Sequence, residues 1–486
     1  MNSLQRLLSN TALSFFSSIL IKASNSLLFI FIGRELGPTD AGIFNLGITF
    51  YTVVFALSAW GLQELLVREV APKREESGRY LVNYLAIRLF LAAAVYGLML
   101  LCLYWFLPYS PLTKIVIQIL ALAVFPEAVF SLLQALFEAH ENLGPPTLAA
   151  AVTTALKLGI GLWLLLSGAD MLAVVWVVPL GSILSVLILL PFVRRLYRQS
   201  EMVPGRLDWA FIRWQLSYTP SFVVIHLFAL LDYQTDTFLI SLFLSETEVG
   251  WYGAAQTILL AFWMLPTAIR AAIYPLMSRY QQQDLAKLKT LYQKSSQYLI
   301  VAVLPIVVGV YIVAPDLIML IFGEAFAPAV PALRWSIWAV IFALCNVPSA
   351  RLMIVYNRQR EAAWLTGLSM SVNVILNLLL IPYYGIVGAA MARTGATFIF
   401  FLSIYWYVQT RIMSESLLPL VIRPLLATLI MLLITWQFTQ FGLFLTTVIG
   451  IATYTAAATL LKIVPAEDRL YWQTIYRLPQ EPPVKE

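Results

Sequence analysis

About fourteen stretches of this chain are apolar and long enough to cross a bilayer as helices. They fall near 10–33, 42–67, 81–107, 114–138, 146–167, 171–193, 214–241, 250–275, 296–322, 330–355, 364–381, 387–408, 418–437 and 443–462. Hydrocarbon offers the backbone no hydrogen-bonding partners, so runs of this kind must fold as helices. The expected fold is an all-α polytopic membrane protein. The charged fraction agrees, at 12% against roughly 25% in a soluble domain.

Loop charge sets the orientation. One set of loops carries Arg68, Lys73, Arg74 and Arg79, then Arg194, Arg195, Arg198, Arg206 and Arg213, then Arg279, Lys287, Lys289 and Lys294, and finally Arg358, Arg360 and Arg411. The alternate loops hold little beyond Arg34, Lys114 and Arg334. A multi-pass chain in the plasma (inner) membrane with both termini cytoplasmic is expected. The net charge of +6 is this loop bias and not a nucleic-acid footprint. The start of the chain lacks a basic n-region and a clear cleavage site, so the first span is expected to be retained. The longest loop, 194–213, leads into LDWAFIRWQL, read as an interfacial amphipathic helix.

An internal repeat is visible. Shifting the chain by 208 places LGPTDAGIF (36–44) on LSETEVGWY (244–252), with Gly42 on Gly250. A shift of 216 places the fifth span on the eleventh, with Lys157 on Asn373 and Gly161 on Asn377. Spans one to six therefore resemble spans seven to twelve, in the same orientation, as in transporters built of two bundles around a central site.

Polar residues within the spans mark candidate sites, because charge in hydrocarbon is expensive. Ser14, Ser18, Lys22, Asn25 and Ser26 recur on one face of the first span. A mid-span lysine costs roughly 2.5–3.5 kcal/mol on insertion scales, so Lys22 should face protein or a wet cavity. Lys157 and Arg270 are placed similarly, and all three are expected to line one central cavity. Arg88 lies near a helix end, where snorkelling is the alternative reading, as it is for Arg351; Glu64 and Glu127 read equally as structural partners. Asp232 and Asp236, four apart, share a face of the seventh span, and two carboxylates there suit a proton or sodium ion. They suit equally a salt bridge to Arg270 or Lys22. Stripes Asn45, Thr49, Thr52 and Gln63 on the second span, and Gln256, Trp263, Thr267 and Arg270 on the eighth, match one another. His226 reads as a core histidine. Enzyme chemistry is not expected: no phosphate-binding glycine loop, no metal-ligand spacing around the only histidines, His140 and His226, and no large external domain.

Five segments carry a family resemblance: IGRELGPTDAGIFNLG (32–47), WGLQELLVREVA (60–71), LDWAFIRWQLSYTPSF (207–222), APDLIMLIFGEAFAPAVPALR (314–334) and IPYYGIVGAAMAR (381–393). In this order they resemble the polysaccharide and oligosaccharidyl-lipid flippases of the multidrug/oligosaccharidyl-lipid/polysaccharide exporter superfamily. The resemblance implies two six-helix bundles forming a V, residues 1–200 and 201–410, with helices one, two, seven and eight lining the cavity. It implies two additional transmembrane helices and a cytoplasmic tail over 411–486. The implied activity is flipping of a polyprenyl-pyrophosphate-linked oligosaccharide from the cytoplasmic to the outer leaflet by alternating access. Lys22, Asn25, Arg88, Lys157, Gln256 and Arg270 are the candidate substrate contacts, and Asp232 with Asp236 the candidate ion-coupling pair. No cofactor is expected beyond a coupling proton or sodium ion, and no nucleic acid; partners are the lipid-linked oligosaccharide, membrane lipids and a glycan polymerase or glycosyltransferases. The signature of the lipid II flippase branch after the first helix is absent, which points away from a peptidoglycan precursor. Two readings stay open beside this one: a cation-coupled multidrug antiporter of the same superfamily using the two aspartates, and a non-transport scaffold of a glycan-synthesis complex. On the loop-charge reading, cysteines placed at Glu76 and Gln283 should be labelled only after permeabilisation; labelling of either in intact cells contradicts the topology.

Overall fold

The computed structural model describes residues 20–21, 23–199, 203–218, 234–263, 265–415 and 418–463. Lys22, His226 and Asp232 lie outside the described residues, as does most of the expected seventh span. All regular structure among the described residues is helical. In chain order the helices are α1 (23–36), α2 (Pro38–Ala59), α3 (Leu62–Val70), α4 (Ser77–Trp105), α5 (Pro111–Leu122), α6 (Val124–Ala139), α7 (Gly144–Leu166), α8 (Met171–Gln199) and α9 (Trp209–Tyr218). They continue with α10 (234–243), α11 (Glu246–Trp263), α12 (Leu265–Gln283), α13 (Leu285–Phe322), α14 (Val330–Ser336), α15 (Trp338–Val355), α16 (Gln359–Arg411), α17 (Leu418–Trp436) and α18 (Leu443–Leu460).

Among the described residues, ten segments are long and apolar enough to span a membrane. One of them, α16, covers both the eleventh and twelfth expected spans, because the run of 53 residues continues through a sharp break at Gly385 (φ 57°, ψ −138°). Only glycine takes that conformation without strain. Of the remaining expected spans, 10–33 and 214–241 are only partly described, and 250–275 falls on α11 and α12 with Met264 between them outside the described residues. The expected second span is two helices. Trp60 (φ 48°) and Gly61 (φ 66°) are both left-handed and turn the chain between α2 and α3. Gln63 therefore does not share the face of Asn45, Thr49 and Thr52, which corrects the stripe expected from periodicity. The fourth span also breaks, at Ala123 between α5 and α6. Pro126 has no N–H to offer the Leu122 carbonyl, and its ring clashes with that carbonyl in a straight helix.

By contact, the described residues form two compact units. The first is drawn from Met1–Thr257, Ile321–Ala329 and Met370–Ala392, the second from Ile258–Leu320, Val330–Ser369 and Arg393–Glu486. The first unit thus takes in α9, α10 and most of α11, beyond the boundary near residue 200 that the repeat suggests.

In the first unit, loops that alternate along the sequence gather at opposite ends of the helices. At one end Arg74 pairs with Glu141 at 2.9 Å, Ser77 Oγ lies 3.0 Å from His140 Nε2, and Arg79 pairs with Asp208 at 2.7 Å. A core of Leu62, Leu66, Tyr84, Phe137 and Phe211 lies beneath them. Phe211 and Ile212 face this protein core, so α9 is docked through the apolar side expected to meet lipid, while Trp209 stays exposed. At the other end the Thr113 hydroxyl donates to Glu246 (3.1 Å), Tyr109 bonds Ser241 (2.7 Å), and Trp251 Nε1 donates to the Ala325 carbonyl (2.9 Å).

This second end carries the repeat. Thr39 and Thr247, related by the shift of 208, share a hydrogen bond of 2.8 Å. A Cβ on Gly42 would overlap the Glu246 carbonyl, and one on Gly250 would overlap the Pro38 carbonyl. Pro38 and Glu246 are themselves related by that shift. The two N-terminal turns, of α2 and α11, therefore cross backbone to backbone in a pseudo-symmetric contact that only paired glycines allow, the small-residue packing typical of helices in membranes.

In the second unit, Asp284 caps α13 by accepting from the Ala286 and Lys287 amides at 3.1 Å. Met277, Tyr292, Leu352, Met353, Ile404 and Val408 form its core. Lys289 pairs with Glu415, and Gln297 Nε2 donates to the Ile463 carbonyl at 3.0 Å. The helices α17 and α18 pack together, with Gly450 against Met431.

Gly42→Ala and Gly250→Ala force a methyl into backbone and should each destabilise the purified protein by about 1–3 kcal/mol or more. Thermal melts check this, with Gly97→Ala, where a Cβ meets open space, as the control that leaves the melt unchanged. Equal melts for all three variants would mean the crossing is not tight.

Candidate functional site

Three groups of polar side chains lie within the spans. The first joins α6, α7 and α8. The Lys157 ammonium donates to Ser182 Oγ at 3.0 Å, and that hydroxyl lies 2.7 Å from Glu127 Oε1. Lys157 and Glu127 are themselves 3.7 Å apart, each side chain 23% exposed. Gly181 makes this possible: a Cβ there would collide with the Lys157 methylene stem. Lys157 thus has an acid partner inside its own unit.

Arg88, on α4, continues the charged layer. Snorkelling is corrected here, since the side chain is 3% exposed. Its guanidinium sits 4.7 Å over the Phe55 ring, and Tyr51 and Glu64 act on its charge. Tyr51 in turn lies within electrostatic reach of Glu127. Buried Arg88, half-buried Tyr51, Glu127 and Lys157 and exposed Glu64 form a chain of two cations and two acids in which opposite charges act on one another, the pairing that makes charge tolerable where water is scarce.

The second group surrounds Asp236, on α10 and 2% exposed. Its carboxylate accepts from Tyr252 Oη at 2.9 Å and from Asn377 Nδ2 at 2.8 Å. Asn377 Nδ2 also donates to Asn373 Oδ1 at 3.2 Å, while Asn377 Oδ1 is buried without a hydrogen-bond partner. Thr49 on α2 donates to Gln234, two residues before Asp236, at 3.1 Å. The Asp236 carboxylate and Asn373 Oδ1 therefore meet at the Asn377 amide nitrogen, joining α10, α11 and α16 through buried hydrogen bonds. Periodicity did not mark Tyr252 or Ser182, because their partners are distant in sequence. Asn373 and Asn377 had a weak signal, as the repeat-mates of Lys157 and Gly161.

The third group lies in the second unit. Arg270, on α12, is exposed, and its Nε donates to the Pro266 carbonyl at 3.1 Å. The charge acting on it is another cation, Arg351 on α15. The Arg351 guanidinium stands 5.9 Å from the Tyr274 ring, and its Nε is buried without a hydrogen-bond partner. Among the described residues neither arginine has an ion-pair partner. Two mutually repelling cations within spans leave an unmet demand for an anion. Asn25, on α1, is exposed, and Gln256, on α11, is half-buried in the first unit. The structure thus joins Arg88 and Lys157 through the charged layer and leaves Asn25, Gln256 and Arg270 apart from it.

A family model described as polysaccharide biosynthesis protein matches residues 7–331. The "Probable low-salt glycan biosynthesis flippase Agl15" of Haloferax volcanii is 23% identical over 365 residues, covering 74% of this chain and 75% of the relative. The "Probable flippase AglR" of the same organism is 29% identical over 170 residues, 32% of this chain and 34% of the relative. Among solved structures, the lipid II flippase MurJ in an inward closed conformation has a TM-score of 0.72 at 15% identity, covering 93% of this chain and 98% of that one. An inward-facing multidrug-resistance MATE transporter of the MOP superfamily has a TM-score of 0.65 at 15% identity, covering 81% and 95%. These likenesses establish the fold of the exporter superfamily.

Breaking the first group tests its electrostatics. Glu127→Gln or Lys157→Met should destabilise by less than the roughly 3–5 kcal/mol of a fully buried broken pair, given the partial exposure. The double variant should be more stable than either single one. Additive losses in thermal melts would mean the two groups do not interact.

Proposed function

This chain belongs to the polysaccharide biosynthesis protein family, and on that premise we propose that it flips a polyprenyl-pyrophosphate-linked oligosaccharide for surface polysaccharide synthesis. It carries the head group from the cytoplasmic to the outer leaflet of the plasma membrane by alternating access, with both termini cytoplasmic. It acts as a transporter and not as an enzyme.

The observation that carries this reading is the uncompensated pair Arg270 and Arg351. Guanidinium groups match phosphate geometry with paired donors, so a pyrophosphate meets the demand that the protein leaves open. A cationic drug would be repelled there, which disfavours the multidrug alternative. Lys22, Asn25 and Gln256 are further proposed head-group contacts. Arg88 and Lys157 act one step removed, holding the layer that frames the first unit. The lipid tail stays in the bilayer while the sugar crosses.

Asp236 is the proposed coupling group, with Asp232, four residues earlier in the sequence, as its proposed companion. The carboxylate, the Asn373 and Asn377 oxygens and the surrounding dryness suit a proton or a sodium ion, which takes oxygen ligands. Ion binding in one state and release in the other supplies the differential affinity that any driven conformational shift requires. Glycosyltransferases or a glycan polymerase are proposed partners upstream and downstream of this step.

Arg270→Gln with Arg351→Gln should lower transport of lipid-linked oligosaccharide at least tenfold, on the order of the 2–5 kcal/mol that a lost buried charge contact costs. Surface glycan display in cells at matched protein level reads this; undiminished display would remove the pyrophosphate role. Asp236→Asn should leave the protein folded and abolish the dependence of transport on an imposed proton or sodium gradient. Retained gradient dependence would make Asp236 structural.

A further inference from the structure

At the end of the first unit where loops 74–77, 140–141 and 203–208 meet lies a cavity of about 440 Å³, lined by Arg79, Val203, Pro204, Arg206 and Asp208. Its lining shares no residue with the head-group contacts proposed above. Its walls are held firmly. The Asn83 side chain is fully buried, and its Nδ2 donates to the Arg79 carbonyl at 2.7 Å and to the Arg206 carbonyl at 3.0 Å. Its Oδ1 accepts from the Asp208 amide at 2.8 Å. One amide thus clamps the backbones that carry both arginines. Gly78 and Gly205 tighten the same junction, since a Cβ on either would overlap backbone of the opposite segment.

The two arginines are not equivalent. Arg79 is committed to Asp208 at 2.7 Å and to the Phe211 ring at 5.1 Å. Arg206 is exposed, and its guanidinium has no protein partner among the described residues. The lining therefore carries one uncompensated positive charge. Its surroundings are apolar: Val203 is 60% exposed, Leu207 49% and Trp209 73%. The cavity sits where α4 begins to span, and an exposed tryptophan there is a mark of the membrane–water boundary.

We propose that this cavity binds the phosphate of a lipid head group, with Arg206 as the phosphate contact and Val203, Leu207 and Trp209 flanking the upper acyl chains. Basic side chains at that depth attract anionic lipid, and a guanidinium on a clamped backbone beside an apolar rim selects a phosphate that arrives on a lipid over one free in solution. The lipid-borne phosphate has two sources, an anionic phospholipid or a polyprenyl pyrophosphate, and the site is defined by the shared chemistry.

Native mass spectrometry of the full-length purified chain tests it, with phosphatidylglycerol, phosphatidylcholine, polyprenyl phosphate or pyrophosphate, or inorganic phosphate added to the micelles. Phosphatidylglycerol or the polyprenyl lipid should be retained where phosphatidylcholine is lost, and competition between the two retained lipids identifies the source. Arg206→Gln, at an exposed position, should reduce retention at least threefold. Arg213→Gln, exposed on α9 but outside the cavity, should leave it unchanged. Equal losses for the two variants, no loss for Arg206→Gln, or complete displacement by inorganic phosphate overturns the proposal.

Discussion

Two glycines, Gly42 and Gly250, let one backbone pass against another where any side chain would collide. The contact fixes where α2 lies against α11, and with it the placement of everything those helices carry. Thr49 on α2 meets Gln234 on α10 only in that register. Tyr252 follows Gly250 by two residues on α11 and delivers its hydroxyl to Asp236. The close approach and the buried carboxylate are thus one construction, in which the absence of a Cβ at two repeat-related positions sets the distance across which a dry hydrogen bond forms.

Charge is handled differently in the two units. In the first, two in-span cations among the described residues have an acid acting on them: Glu127 on Lys157, and Glu64 on Arg88. Burying either cation alone would be prohibitive, and pairing makes it tolerable without making it strongly stabilising. In the second, Arg270 and Arg351 face each other's charge with no acid among the described residues. A protein that neutralises one set of buried charges and leaves another exposed to an anion has separated scaffold from site, and this separation is what the proposed head-group chemistry uses.

Much of this was legible in the sequence. The apolar runs mark an all-helical membrane fold because hydrocarbon admits little else, and the shift of 208 aligns Gly42 with Gly250, which the structure brings into contact beside the Thr39–Thr247 hydrogen bond. Breaks within spans were harder. The left-handed pair at Trp60 and Gly61 has a tryptophan in a conformation that sequence patterns do not anticipate, so Gln63 was assigned to the wrong face. The Lys157–Glu127 pair joins residues on different helices, and helical periodicity carries no information across a turn. Arg88 illustrates the same limit: its position near a helix end leaves snorkelling and an inward role open, and the structure buries it against the Phe55 ring. Asp232 and Lys22, on which the sequence reading leaned, fall outside the described residues.

The central claim is that this chain moves a lipid-linked glycan between leaflets. The most direct measurement reconstitutes the purified chain into vesicles holding a polyprenyl-pyrophosphate-linked oligosaccharide in both leaflets and adds a membrane-impermeant glycosidase. The account predicts that the protein converts the protected inner-leaflet glycan to a cleavable form until nearly all is consumed, while vesicles without protein stop at the outer-leaflet share. Arrest at that share with folded protein present, under either sign of a proton or sodium gradient, would contradict it.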